Sequence, residues 1–283
     1  MSERSGTVMS TGGRVGRIGV DIAAGLSMLY LFLPIFVIVA FSFNAPKGKF
    51  NAVWQSFTLT NWMHPFADTA LVDALVLSLK IALLASLIAT ILGTFMAISL
   101  VRYRFRGGGA VNLLVVLPLT APEIVLGASL LTLFLEPHLI MFNHQFALGF
   151  GTILIAHIMF CVSYVAMTVK ARIRGFDWTL EDAAMDLGAT PTRTFMRVTL
   201  PLITPGIFAA FLLSFALSID DFIITYFVSG PDTTTFPVRI FGQSRVGTPP
   251  QINVLASMIL FGSITVMVVA SILGVRRQRR LGV

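Results

Sequence analysis

The chain has 283 residues, of which 56% are hydrophobic and 12% are charged, and its mean hydropathy is +0.87. These values exclude an ordinary soluble domain and indicate a protein that has the lipid bilayer as its solvent. The net charge is +7, but the basic residues flank apolar runs without interleaved aromatic residues, which excludes nucleic acid as a partner. The single cysteine, Cys161, excludes an intramolecular disulfide and a cysteine-based metal cluster.

Six segments reach the roughly 20 apolar residues that a helix needs to cross a bilayer. They lie at about Ile22–Phe43, Val76–Leu100, Val111–Phe134, Leu148–Val169, Ile203–Tyr226 and Val254–Val275. We therefore predict an all-α membrane protein with one transmembrane domain at 18–275, a polar tail at 1–17 and a basic tail at 276–283. The first apolar stretch is too long for a signal-peptide core, so we expect it to remain as a span.

The lysine and arginine residues predict the orientation, because short basic loops stay in the cytoplasm. Fifteen of the 20 lie in the two tails and in the loops that follow the second and fourth predicted spans. The opposite loops contain only Lys47, Lys49, Arg239 and Arg245, while Lys80 lies near the outer end of the second span. We therefore predict that both termini are cytoplasmic.

The third predicted span carries an acidic residue within the hydrocarbon region. Because Pro118 and Pro122 precede Glu123, we expect the helix to be kinked or broken there, with freed carbonyl groups lining a cavity. A charge at this depth is costly and suggests a function, so Glu123 is a candidate for a substrate pathway. The alternative is a buried, protonated carboxyl group that is bonded to a neighbouring helix.

Between the fourth and fifth predicted spans, residues 178–201 predict a helix–glycine–helix elbow. Thr179 and Asp182 have the spacing of a capping box, Gly188 suits the left-handed residue that ends a helix, and Pro191 suits the start of a second helix. One helical face would contain the apolar residues Leu180, Ala183, Ala184 and Leu187, leaving the acids Glu181, Asp182 and Asp186 for other surfaces. The alternative is an amphipathic helix that lies in the membrane interface.

The fifth predicted span contains two adjacent acids, Asp220 and Asp221. On a continuous helix, a polar stripe contains Ser214, Ser218, Asp221 and Thr225. We predict that this stripe lines a substrate pathway, whereas Asp220 points elsewhere and holds a neighbour or caps a helix end. An acid at the membrane interface remains the alternative for Asp221.

In the fourth predicted span, His157 and Cys161 are one helical turn apart. Two such residues do not make a metal site, so we expect packing and a hydrogen bond for His157.

The elbow resembles the EAA loop of ABC-importer permeases. Asp182-Ala183-Ala184 is followed by Gly188, Val198 and Leu200-Pro201 at the spacing of that motif. Asp182 stands where the family usually has glutamate, Val198 where isoleucine is common, and Glu181 precedes Asp182. In that family the loop docks into a cleft on the ATPase subunit. The resemblance therefore implies ATPase coupling by Glu181, Asp182, Ala183, Ala184, Asp186, Gly188 and Pro201.

Other motifs are similar to those of the spermidine/putrescine branch of these permeases. They are Arg102 to Gly107, Pro122 to Val125, His157 with Phe160-Cys161, Arg174 to Asp177, Leu217 to Phe222, Phe227 to Pro231 and Asn253 to Ala256. Glu123 stands where that branch often has aspartate. The resemblance implies the ABC-importer permease fold and polyamine import by alternating access across a bacterial cytoplasmic membrane. It also implies a sister permease, an ATPase subunit dimer and an extracytoplasmic substrate-binding protein as partners, besides membrane lipid.

The chain has no phosphate-binding Gly-x-x-x-x-Gly-Lys-Ser/Thr loop. We therefore predict that it is not an enzyme and binds no cofactor or metal, while ATP and Mg are used by the partner ATPase. A different class remains open, an ion-coupled secondary transporter with Glu123 and Asp221 as ion sites, although no inverted repeat is obvious. Within the importer class, another small organic solute or an iron complex is the alternative substrate.

Overall fold

The computed structural model describes residues 11–103, 106–136 and 146–281 of the protein, and side chains for most of them. Regular secondary structure among these residues is helical, and their β-pairing consists of two isolated bridges, Asn44 with Phe57 and Phe50 with Thr248. The chain divides into two compact units, Met1–Asp68 with Gln243–Val283 and Thr69–Gly242.

The helices of the described residues follow in chain order. They are α1 Thr11–Phe41, α2 Thr60–Met63, α3 Thr69–Arg102, α4 Gly108–Thr120, α5 Glu123–Leu135, α6 Phe150–Arg174, α7 Thr179–Asp186, α8 Pro191–Thr194, a π-helical turn Phe195–Thr199, α9 Leu200–Asp220, α10 Ile223–Val228, α11 Phe236–Ser244 and α12 Pro250–Leu281.

In the first unit, residues 42–62 fold back near the end of α1 through polar and aromatic contacts. Asn44 Nδ2 donates a hydrogen bond to Asn51 Oδ1 at 2.7 Å, and both side chains are buried. The Phe43 ring stacks on Trp62 with the ring centroids 5.4 Å apart. The two buried amides thus pair with each other and with backbone groups of Phe41, Val53 and Gln55, which allows an irregular segment to pack closely.

In the second unit, α3 packs along both α6 and α9. One buried face of α3 consists of small residues at helical spacing, namely Ala82, Ser86, Ala89, Gly93 and Ala97. Small residues let two helices approach closely in a membrane. A Cβ atom at Gly93 would lie 2.7 Å from Val165 Cγ1 of α6, so any larger residue there would push the two helices apart.

The apolar helices agree with four of the predicted spans directly. Gly19–Phe41, Thr69–Arg102, Phe150–Arg174 and Pro191–Asp220 are each long and apolar enough to cross a membrane. α4 and α5 form a fifth candidate that is bent by 111°, and the described apolar part of α12, Pro250–Thr265, is shorter than a span. The count of six spans therefore stays a prediction. The predicted tail at 1–17 lies partly outside the described residues, and α1 already begins at Thr11.

Two of the predicted spans are interrupted, and only one interruption was expected. The break before Glu123 is confirmed, since Pro122 has an extended conformation with φ −60° and ψ 132° between α4 and α5. The expectation of one continuous helix through Tyr226 is wrong, because α9 ends at Asp220 and Asp221 is extended with ψ 121°. α10 then resumes at Ile223, so the fifth span also consists of two helical pieces.

Candidate functional site

The elbow, residues 178–201, ends its first helix as the sequence predicts. Gly188 has φ +84°, a left-handed conformation that residues with a Cβ atom rarely adopt. Its N–H donates to the Met185 carbonyl at 2.9 Å, and the Ala189 N–H donates to the Ala184 carbonyl at 3.1 Å. These two bonds form a Schellman motif, which satisfies carbonyl groups at the end of α7.

The starts of the two elbow helices differ from each other. Thr190 is the extended residue before α8 and Pro191 is its first residue, as predicted. The predicted capping role of Thr179 is wrong, because Thr179 is itself the first residue of α7. The Asp177 carboxylate instead accepts hydrogen bonds from the Thr179 amide at 3.1 Å and the Thr179 hydroxyl at 2.8 Å. The acid that caps α7 therefore lies upstream of the helix.

α7 buries an acid and exposes leucines, which reverses the usual distribution of polarity. Glu181 is 4% exposed, whereas Leu180 is 45% exposed and Leu187 is 90% exposed. Among the other predicted coupling residues, Ala184 is half-buried and the exposed ones are Asp182, Ala183, Asp186, Gly188 and Pro201. Leu180 and Leu187 therefore lie on the outer surface of the elbow, and Glu181 lies on its inner side.

Glu181 is held by a group of side chains that we call the elbow brace: Arg102, Trp178, Glu181 and Thr199. Arg102 Nη1 lies 3.0 Å from Glu181 Oε1, and Arg102 Nη2 lies 2.8 Å from Glu181 Oε2. The Thr199 hydroxyl donates to Glu181 Oε1, and the Arg102 guanidinium lies 5.6 Å from the centre of the Trp178 ring. The buried carboxylate is thus paired with a charge and bonded to a hydroxyl, as burial of an ionised group requires.

A second polar group, the histidine cluster, consists of His157, Ser218, Asp221 and Thr225. His157 Nδ1 lies 2.7 Å from Ser218 Oγ, and His157 Nε2 lies 2.9 Å from Thr225 Oγ1 and 3.3 Å from Asp221 Oδ2. Asp221 Oδ2 also accepts from the Thr225 amide at 2.8 Å and from its hydroxyl at 2.7 Å. The expected hydrogen bond of His157 is therefore present, and it joins α6 to both helical pieces of the fifth span.

The predicted polar stripe lies together despite the helix break, but it faces the interior. Ser214 and Thr225 are fully buried and Ser218 is 4% exposed, while the Asp221 side chain is 5% exposed. Cys161 of α6 points its thiol at the Ser214 carbonyl over 3.6 Å. The role of the stripe in a pathway stays a prediction, because α6 covers its side chains in this structure.

The other two acids of the interrupted spans, Glu123 and Asp220, are exposed. Glu123 is exposed in the first turn of α5, and Asp220 is exposed as the last residue of α9. Within the described part of the chain, neither carboxylate has a hydrogen-bond or ion-pair partner, so the expected neighbour or cap of Asp220 is not found there. Both carboxylates thus lie exposed at a helix break.

Sequence reasoning did not connect Arg102 with Glu181, or His157 with the polar stripe. The two partners in the brace are 79 residues apart, and His157 lies 68 residues from Thr225. The available signals were a lone histidine within an apolar span and an arginine at the end of a long apolar helix. Across the described residues, no group of three or more His, Cys, Asp and Glu side chains could hold a metal ion.

Comparisons with known proteins identify the family of this chain. The family described as "Binding-protein-dependent transport system inner membrane component" matches residues 89–282. The putrescine transport system permease protein PotI of Escherichia coli K12 is 40% identical over 237 residues, covering 83% of each chain. The spermidine/putrescine transport system permease protein PotC is 36% identical over 244 residues in Haemophilus influenzae, covering 86% of this chain and 91% of the relative. The Escherichia coli K12 PotC is 38% identical over 243 residues, covering 86% and 88%.

Solved structures show the same fold at low sequence identity. A chain of a bacterial ABC transporter involved in the import of the acidic polysaccharide alginate has a TM-score of 0.66 at 18% identity, covering 90% of this chain and 93% of its own. A chain of the alginate transporter in complex with a periplasmic protein bound to alginate pentasaccharide has a TM-score of 0.63 at 18% identity, covering 95% and 96%. Family, relatives and fold agree, and the chain belongs to the family of inner membrane components of binding-protein-dependent transport systems.

Proposed function

We propose that this chain is a permease subunit of an ATP-driven importer that moves polyamines into the bacterial cytoplasm by alternating access. The observation that carries the proposal is the identity of 36% to 40% to permeases named for putrescine and spermidine/putrescine transport, over more than four fifths of this chain. In this proposal the chain has six spans, with α4 and α5 forming one of them, and both termini and the elbow lie in the cytoplasm. The excess of basic residues in the same loops supports this orientation.

The elbow is the proposed coupling element. Leu187 projects from a turn that the Schellman motif and the left-handed Gly188 fix, so an apolar anchor stands at a defined place. We propose that Leu187 enters a cleft on an ATPase subunit, with contacts from the exposed residues Asp182, Ala183, Asp186, Gly188 and Pro201, and with Ala184 at their edge. Glu181 contributes from inside the elbow, because its carboxylate faces Arg102.

The proposed complex contains this chain, a sister permease, an ATPase subunit dimer and an extracytoplasmic substrate-binding protein. The family description refers to a binding protein, and one similar structure contains a periplasmic protein that carries the substrate. ATP and Mg are bound by the ATPase subunits in this proposal, which assigns no cofactor to the permease.

The proposed substrate pathway uses the carboxylates at the two helix breaks. Glu123 and Asp220 are exposed and unpaired within the described residues, and an uncompensated carboxylate in an apolar environment attracts an amine cation. The stripe Ser214, Ser218, Asp221 and Thr225 joins the pathway in a conformation in which α6 has moved away from α9. Until then His157 occupies the position that a substrate ammonium group would take beside Asp221.

The test is uptake by the complete importer, purified from its host through a tag on this chain and reconstituted into vesicles. We expect ATP-dependent uptake of putrescine or spermidine in the presence of the binding protein. Uptake that persists without ATP and follows an ion gradient would establish a secondary transporter instead. Uptake of an iron complex or another small organic solute, and of no polyamine, would contradict the proposed substrate.

Gly188→Val tests the coupling role of the elbow in the same complex. A valine cannot adopt φ +84° without strain, so we expect the ATPase subunits to be lost during purification while membrane insertion is unchanged. Gly109→Val is the matched control, because a Cβ atom at Gly109 meets no atom within 4 Å. Normal ATPase retention and normal uptake with Gly188→Val would rule out the elbow as the coupling element.

A further inference from the structure

The elbow is attached to the rest of its own unit at both ends of the chain segment and through side chains. α6 leads into it at Arg174, and α9 leaves it at Leu200. Among the side-chain attachments is the elbow brace, which reaches the last residue of α3, Arg102. Because α3 is far away in sequence, this contact gives the elbow a connection that the chain path alone does not provide.

The brace holds the elbow at several points along its length. Glu181 lies in the first turn of α7, Trp178 directly before that helix, and Thr199 at the end of the π-helical turn that leads into α9. The Trp178 ring also packs on Phe176, with the centroids 4.9 Å apart. Arg102 thus contacts the beginning of the elbow directly, and the Glu181 carboxylate links it to the end of the elbow through Thr199.

The Arg102–Glu181 ion pair is bidentate, which is the geometry of the stronger ion pairs. Two guanidinium nitrogens face two carboxylate oxygens at 3.0 Å and 2.8 Å, which fixes the relative orientation of the two groups. The Glu181 side chain is 5% exposed and the Arg102 side chain is 32% exposed. Opening the pair would leave Glu181 as a buried charge with one hydroxyl partner, whereas arginine stays charged under all conditions in a protein.

The helices that the brace connects are also closely packed. α3 and α6 touch at Gly93 and Val165, and a Cβ atom at Gly206 of α9 would lie 2.6 Å from Arg172 Cγ of α6. The first contact leaves little room for α3 to slide along α6, which leads into the elbow, and the second holds α9 against α6.

We propose that Arg102 and Glu181 are positioning residues that join α3 and the elbow into one moving body, and that their ion pair stays closed throughout the transport cycle. This inference rests on the proposed function, because it assumes that the elbow is moved by an ATPase. A movement of the elbow is then transmitted directly to α3. The buried face of α3 in turn transmits it to α6 and α9.

The first experiment breaks and rebuilds the pair in the purified importer. Arg102→Glu and Glu181→Arg are compared with the double charge reversal, and the readout is the number of substrate molecules transported per ATP hydrolysed. We expect this ratio to fall about 5-fold or more in each single variant, because about 5-fold is the lower end of the coupling factors between linked sites. We expect the ratio to recover in the double reversal. Arg106→Glu is the control, since Arg106 is exposed in the loop that follows α3.

Glu181→Gln separates positioning from folding, because it keeps the shape of the side chain. We expect the complex to assemble with its ATPase subunits, to hydrolyse ATP and to transport less substrate per ATP. A normal ratio in Glu181→Gln would overturn the inference. So would a double reversal that is no better than the single variants, or an equal loss with Arg106→Glu.

A cross-link tests whether the pair stays closed. The variant with Arg102→Cys and Glu181→Cys, in a Cys161→Ala background, is treated with a short bifunctional thiol reagent, and each single substitution serves as a reagent control. We expect the cross-link to restore the transport ratio that the two substitutions lower. A cross-link that abolishes the remaining transport, or leaves the ratio unchanged, would overturn the inference.

The unsubstituted complex reports on the proposed function separately. If it moves a solute other than a polyamine, the substrate proposal fails, and the same ratios are measured with that solute. If no ATPase subunit associates with the elbow in the unsubstituted complex, the proposed function itself fails, whatever the variants do.

Discussion

The elbow brace and the histidine cluster are both built around a buried carboxylate, but the two carboxylates depend on different partners. Glu181 faces one distant charge, Arg102, and one hydroxyl, Thr199. Asp221 accepts hydrogen bonds from the backbone and side chain of its own next helical turn, besides its contact with His157. The brace therefore depends on a remote residue, whereas the histidine cluster is largely supported from within the fifth span.

The largest effect is expected from Arg102→Ala, because it leaves Glu181 buried without its charge partner. We expect a loss of about 3 kcal/mol of stability, near the lower end of the values for a broken buried ion pair. Glu181→Ala should cost less, since the remaining arginine is 32% exposed and can turn to water. Thermal unfolding of the purified chain in detergent measures both, and equal losses would contradict the asymmetry.

A smaller effect is expected from Asp221→Ala, which removes the acceptor for the Thr225 amide and hydroxyl. We expect a loss of about 2 kcal/mol, the upper value for a lost helix cap. His157→Gln should cost less than that, because Asp221 keeps the donors of its own helical turn. If His157→Gln lowers the stability more than Asp221→Ala in the same unfolding measurement, the histidine cluster depends on its remote partner, His157, as the elbow brace depends on Arg102.

The smallest effect concerns the charges that have no partner in the described residues. We expect Glu123→Gln and Asp220→Asn each to raise the half-saturating polyamine concentration about tenfold, since a hydrogen bond to a charged group contributes roughly 1.5–3 kcal/mol. Asp221→Asn should lower stability and expression more than selectivity, because its side chain faces His157. Uptake of putrescine and spermidine by each reconstituted variant provides the measurement. A change in selectivity with Asp221→Asn alone would place substrate recognition in the polar stripe and not at the exposed carboxylates of the helix breaks.

The elements that local chemistry decides could be predicted from the sequence. Pro118 and Pro122 indicated the break before Glu123, because proline removes a backbone donor and restricts the residue before it. Gly188 indicated the end of α7 for an equally local reason, the left-handed conformation. The break at Asp221 contains no proline or glycine. The hydrogen-bond donors to its carboxylate come from the turn that follows, and His157 contacts it from another helix.

The distribution of polarity in the elbow could not be predicted from its helical periodicity. That pattern placed Leu180 and Leu187 on one face and left Glu181 for another surface. The structure buries Glu181 because Arg102 meets it from the end of α3, and it leaves Leu187 exposed. Periodicity describes which residues share a face, but the face that is buried depends on residues far away in the sequence.

The exposed tip of the elbow also has a consequence for the life of the chain before assembly. In the proposed complex, a subunit without its ATPase would present Leu187, 90% exposed, on a turn that the left-handed Gly188 holds in place. Binding of the ATPase would cover this side chain, and a partner that binds only the folded state stabilises that state by mass action. The lifetime of the subunit would then depend on the supply of its partner.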